Sequence, residues 1–175
     1  MPGFKNWASG EILSAADLMK LPQHNYIVKP SDESVTNATV QDDDHLVLAV
    51  AANTDYVLDG MLVYSAAQSV GMVYGWSFPT SATMWWNSGN APLYDAQGTP
   101  QISLDARLIN EFAQCVGISS GGAGNPFRLM ARPYGLLRVA GTAGNIRMRF
   151  AQQTLNAGDA TVMRAGSWLR ITKIS

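Results

Sequence analysis

From Asn145 to Phe150 the chain alternates strictly, with Ile146, Met148 and Phe150 on one side and Asn145, Arg147 and Arg149 on the other. A period of two marks a strand with one face on a core. Trp168 to Ile174 alternates less cleanly: Leu169 and Ile171 share one face, and Trp168 and Ile174 occupy the opposite one. A strand that is apolar on both faces is usually covered on both, inside a sandwich or at a subunit contact. Further upstream, Leu46, Leu48 and Val50 share a face. Tyr56–Tyr64 predicts a long strand with a bulge at Gly60. In Val70–Phe78, Met72, Tyr74, Trp76 and Phe78 alternate with small residues until Pro79 ends the run. Thr83–Asn87 is short and aromatic, and Phe127–Arg132 and Gly135–Ala140 add two more strands. Ile109–Ile118 reads as a strand and Leu104–Gln114 as a short helix, and periodicity leaves the two open. Short strands with Gly, Pro and Asn punctuation predict a mainly β fold, an antiparallel β-sandwich or jelly roll.

The beginning of the chain has a different pattern. Ser14 is suited to cap a short helix through Ala15, Ala16, Leu18 and Met19, with Asp17 three residues on and Pro22 as the stop. So short a helix needs a surface to dock on. Residues 1–29 therefore read as an anchoring arm, with Trp7, Ile12, Leu13, Leu18 and Met19 as its partner-binding surface. The alternative is a cap on the same domain's core. Residues 30–41 are polar and read as a linker, and 42–175 as the β-sandwich, which is expected to oligomerise.

Charge changes this picture. Only 14% of the 175 residues are charged, against about a quarter in a typical domain. With 47% apolar residues, part of the surface is expected to lie within an assembly. Residues 1–105 hold 11 acids against 3 bases and residues 106–175 hold 2 against 9, so the halves carry −8 and +7. Such halves suit head-to-tail contact between copies. The bases form no dense run interleaved with stacking aromatics, so nucleic acid is not an expected partner. No apolar run approaches the ~20 residues that span a bilayer, and the first residues lack the basic segment and apolar run of a secretory signal. Neither a membrane nor export is expected.

Catalytic chemistry finds little support. Cys115 is the only cysteine; no internal disulfide or thiolate zinc site can form, and among Phe112, Ala113, Val116 and Ile118 it reads as a buried thiol. His24 and His45 are the only histidines, and no motif positions either as a base. Ser119–Gly124 has the glycines of a phosphate loop without its Lys-Ser/Thr ending. Asp42, Asp43 and Asp44 read as a solvated turn ahead of a strand rather than a cation site. No enzyme, cofactor or metal is expected. Trp85 and Trp86, with Tyr94, read either as a stacking surface for host glycans or as a pair split between core and interface; the split is preferred.

The segment Trp7-Ala-Ser-Gly-Glu-Ile-Leu-Ser-Ala-Ala-Asp-Leu18 resembles an N-terminal segment of tail and head-surface proteins of tailed bacteriophages, especially those of actinobacteria. Val40-Gln-Asp-Asp-Asp44 with Ala52-Asn53 and Tyr56, the Gly75-Trp76…Pro79 corner, Phe150-Ala-Gln152 and Ala165-Gly-Ser-Trp-Leu169 resemble the rest of that pattern in the same order. The chain departs from it at Met19, where the family has Asn. The resemblance implies a virion structural protein assembled in the host cytoplasm: a minor capsid, decoration or head-fibre protein, or a minor tail protein. It implies a trimeric jelly roll of the tumour-necrosis-factor type whose arm grips a major capsid or tail protein. No catalytic residue comes with it. Trp168 and Ile174, with Arg147 and Arg149, are then the expected oligomer interface; a glycan-binding module for host recognition is the alternative role.

Overall fold

Inward apolar residues at every second position build two antiparallel sheets that face each other. The computed structural model describes residues 9–10, 12, 14, 24–89, 93–94, 100–101, 107–115, 117 and 128–174. The described strands are, in order, β1 His24–Val28, β2 Glu33–Val35, β3 Gln41–Val50, β4 Thr54–Ser65, β5 Met72–Ser77, β6 Thr83–Asn87, β7 Leu93–Tyr94 and β8 Pro100–Gln101. They continue with β9 Arg107–Leu108, β10 Ala113–Cys115, β11 Leu129–Ala131, β12 Tyr134–Val139, β13 Gly144–Ala151, β14 Thr161–Met163 and β15 Trp168–Lys173. The larger sheet runs β1-β15-β4-β12-β6-β9, with β11, β14 and β2 around the far end of β4, and the smaller runs β10-β5-β13-β3. β7 and β8 pair only with each other. The β-sandwich expected from the alternation is the observed architecture. No helix occurs among the described residues, and the helix expected between Ser14 and Pro22 lies outside them.

The connectivity is that of a ribbon wrapped around a core. β3 pairs with β13 in the smaller sheet, and their chain neighbours β4 and β12 pair in the larger one. In the same way β5 pairs with β10, while β6 pairs with β9. Both ribbons cross between the sheets. The β3–β4 crossing turns at Asn53, whose φ of 52° suits an asparagine and whose N–H donates to the Ala140 carbonyl at 2.8 Å.

Between the sheets lie Leu46, Leu48, Leu58, Leu62, Met84, Leu137, Ile146, Phe150, Leu169 and Ile171, all buried. Tyr74, Trp76 and Trp86 form the aromatic centre: the Trp86 ring stands 5.4 Å from Tyr74 and 5.6 Å, edge to face, from Trp76. The Trp86 indole N–H donates to the Leu108 carbonyl and the Tyr74 hydroxyl to the Ser88 carbonyl. Burial also pushes the Tyr74 phenol well above its ordinary value of 10.0.

Four local features differ from the expectation. The register of β4 against β15 is unbroken through Gly60, so no bulge lies there. Glycine is needed because a Cβ would come within 2.7 Å of Leu169 Cδ2 and of the Trp168 carbonyl. The irregularity is instead in the partner, where Arg164–Ser167 loops out between β14 and β15 and Gly166 has a φ of 84°. Asp42–Asp44 is not a solvated turn: it lies inside β3, at the register shift opposite Met148, and Asp43 is fully buried. Between residues 107 and 115 the chain forms two short strands, β9 and β10, in place of one continuous element. Finally, residues assigned to the arm and linker include β1, paired along β15, and β2, paired with β14. The sheet therefore begins at His24 among the described residues.

Candidate functional site

Among the described residues, the outer face of the larger sheet carries an unusual concentration of exposed apolar side chains. Strand registers align its side chains in rows. One row crosses six strands as Leu108, Trp85, Leu136, Val57, Thr172 and His24. The next runs Asn87, Tyr134, Asp59, Arg170 and Tyr26, and a third sets Met61 beside Trp168 and Val28. Leu108, Trp85, Val57, Tyr134, Tyr26 and Val28 are all exposed, Trp85 by 65% and Tyr26 by 69%. Isolated exposed apolar residues are ordinary; a contiguous band of them marks a contact surface. The face arises because β4, β12 and β15 carry apolar residues at both parities: Leu58, Leu137 and Leu169 point inward while Val57, Leu136 and Trp168 point outward.

The charges on this face are matched within it. Arg170 donates Nε–H to Asp59 Oδ1 at 3.0 Å and its terminal NH2 to Oδ2 at 2.7 Å, and its guanidinium carbon lies 6.0 Å from the Trp168 ring centre. The hydrogen bonds from Arg170 to Asp59 raise the arginine's pKa above its ordinary value. Arg138 and Asp55 approach to 3.6 Å, and His24 Nδ1 lies 2.8 Å from the Thr172 hydroxyl. A face whose ions are already paired is less costly to dehydrate than one with lone charges.

The expected interface residues divide between two surfaces. Trp168 and Ile174 lie on the outer face of the larger sheet, at its β15 side, where the Ile174 N–H donates to the Asp55 carbonyl. Arg147 and Arg149 point outward from β13 in the smaller sheet, on the other side of the sandwich. Both approach Asp42: Arg147 NH1 donates to Oδ2 at 3.4 Å, and Arg149 Nε lies 2.8 Å from Oδ1 without hydrogen-bond alignment. The four residues therefore do not form one patch. Parity within a strand tells which residues share a side, but it cannot tell which sheet the strand joins.

The expected glycan contacts do not converge either. Trp85 is exposed, whereas Trp86 is buried in the aromatic centre and cannot stack on a sugar. Tyr94 lies in β7, and nothing of its side chain is described. Of the arm residues, Ile12 is almost fully exposed; Trp7, Leu13, Leu18 and Met19 lie outside the described residues. Tyr26, Val57, Leu108, Tyr134 and Leu136 were missed from sequence, although the two-sided apolarity of Tyr56–Tyr64 was a signal for the face.

A second cluster is buried where β1 and β2 meet β3. Lys29 Nζ donates to Glu33 Oε2 at 2.7 Å and to Asp43 Oδ2 at 2.8 Å, and lies 3.2 Å from His45 Nδ1. The side chains of Lys29 and Asp43 are fully buried. Glu33, Asp43 and His45 are close enough together to hold a metal ion, but the ammonium occupies the centre of the group. Its three protons match the three acceptors, which assigns His45 Nδ1 as the acceptor nitrogen. This network was not foreseen from sequence.

No protein-family model matches the chain, and no curated protein does. Among solved structures it is similar to the infectious bursal disease virus Gt strain structure, at 12% identity and a TM-score of 0.30, over 88% of this chain and 42% of that one. It is also similar to the VP2 subviral particle of infectious bursal disease virus, at 12% identity and a TM-score of 0.26, over 89% of this chain and 42% of that one. The chain thus spans less than half the length of either, and likeness at this level transfers no role.

Proposed function

We propose that this chain is a structural protein of a virus particle, of the tailed-phage kind that its sequence resembles, and that it self-associates through the outer face of the larger sheet. The observation that carries the reading is the apolar band from Leu108 across Trp85, Leu136 and Val57, with its ion pairs closed within the face. Six strands spaced about 4.8 Å and paired over about six residues at 3.3 Å each give a flat area of roughly 500 Å2 before side-chain relief. That is the scale of the about 800 Å2 each partner contributes to a stable contact. The wrapped pairing of β3–β4 with β12–β13 and of β5–β6 with β9–β10 supports the jelly-roll reading. In this reading the subunits form a trimer that decorates the capsid or a head fibre, and residues ahead of β1 reach a major capsid or tail protein. The role is one of binding and shape, without catalysis.

Solution mass by light scattering at micromolar concentration tests it. A trimer that Val57→Lys converts to a folded monomer supports the face as the contact. A wild-type monomer, or a trimer indifferent to that substitution, removes it. A place as a minor tail protein uses the same face and differs only in the partner of the leading segment, which purified capsids and tails would separate.

A further inference from the structure

Self-association makes no use of the Lys29 cluster, which holds an amine against a carboxyl group inside the protein. The Lys29 amine nitrogen is 2.8 Å from Asp43 Oδ2, with both side chains fully buried. Asp43 Oδ1 accepts backbone N–H bonds from His45 at 2.9 Å and Leu46 at 2.8 Å. One carboxylate oxygen therefore faces the nucleophile, and the other sits between two backbone donors where negative charge would gather in an addition step. Glu33 Oε2 at 2.7 Å and His45 Nδ1 at 3.2 Å are both within reach of the amine protons.

We propose that Lys29 and Asp43 join in an intramolecular amide bond, formed by the folded chain on itself. The Lys29 ammonium gives one proton to Asp43 Oδ2, which leaves a neutral amine against a neutral acid. The Nζ lone pair attacks Cγ of Asp43, and the charge that develops on Oδ1 is held by the N–H groups of His45 and Leu46. Glu33 takes a second proton from Nζ and passes it to the Oδ2 hydroxyl; the Cγ–Oδ2 bond breaks as the charge on Oδ1 reforms the carbonyl, and water leaves. An ammonium and a carboxylate become an amide and one water; charge and atoms balance, and nothing is oxidised or reduced. The reacting groups are held in contact by the fold, which supplies the proximity that such a condensation needs. The product would tie the end of β1 to β3 and would carry load from the leading segment directly into the smaller sheet.

Intact mass spectrometry of the purified full chain under denaturing conditions decides this. The proposal expects a mass about 18 Da below that of the sequence, one water, and fragmentation that finds residues 29 and 43 in one linked piece. Lys29→Arg should restore the full mass. Glu33→Gln, checked for folding by circular dichroism, should form the bond more slowly. A folded wild-type chain at its unmodified mass overturns the proposal, as does a loss of water that persists in Lys29→Arg. Bond formation at an unchanged rate in Glu33→Gln overturns the part given to Glu33.

Discussion

The Arg170 guanidinium holds the Asp59 carboxylate through two hydrogen bonds in the middle of a largely apolar sheet face. In an isolated subunit the pair is open to water, and exposed pairs of this kind contribute little to folding. Once a second copy covers the face, a lone arginine would be dehydrated without its partner. Asp59→Ala is therefore expected to leave the melting temperature of the monomer nearly unchanged and to weaken self-association. Thermal denaturation and light scattering on the same sample check both halves. Equal association by the variant would show that the pair lies outside the contact.

Trp85 and Trp86 provide a sharper contrast, since a strand sends neighbours to opposite sides. Trp86→Ala removes the centre of the aromatic cluster and leaves a cavity, and is expected to cost about 3–5 kcal/mol. Trp85→Ala removes only exposed surface and is expected to change folding stability by less than about 0.5 kcal/mol. Its effect belongs in association. Urea denaturation should separate the two variants, and equal destabilisation would place Trp85 in the core.

Much of the fold was legible because the core pattern is local. Ile146, Met148 and Phe150 lie inside as their alternation predicts, and so do Leu169 and Ile171. The buried charges were not legible. Lys29 ends the segment that reads as an arm, beside Pro30 and the polar linker, and a charged side chain there is ordinarily solvated. Its burial depends on acceptors from β2 and β3, brought together by pairings that no local pattern encodes. The apolar outer face of the larger sheet was half legible. Trp168 and Ile174 revealed the outer face of β15, whereas Arg147 and Arg149, equally clear as an outward set, belong to the other sheet.

Asp32 gives the chain an acid-sensitive clasp. Its Oδ1 accepts the Ala165 N–H at 2.8 Å and its Oδ2 the Arg164 guanidinium at 2.7 Å. The backbone bond from Ala165 and then the bond from Arg164 hold its carboxyl below the ordinary 3.8. A depressed carboxyl stabilises the fold above the unfolded value and loses that contribution as pH falls through the folded one. Asp32→Asn removes the titration. The stability gap between wild type and Asp32→Asn is thus expected to be full at neutral pH and to close progressively below about pH 4. Urea midpoints across that range measure it; a gap independent of pH would show that the charge of Asp32 contributes nothing.

Two truncations separate the leading segment from the sheet that it runs into. Removing residues 1–23 leaves β1, its ladder on β15 and the Lys29 cluster in place. That protein should melt with the full chain and keep its oligomeric state, but fail to bind particles if the removed segment is the anchor. Removing residues 1–29 also takes the β1 ladder and the Lys29 side chain, leaving the buried Asp43 carboxylate without a partner. Breaking a buried pair from one side costs about 3–5 kcal/mol, and the lost strand adds to that. The longer truncation is therefore expected to melt well below the shorter one, although the two differ by only six residues. Particle binding that survives the shorter truncation would remove the anchoring role from residues 1–23. Equal melting of the two would mean that Lys29 and β1 contribute nothing to the fold, against the geometry of both.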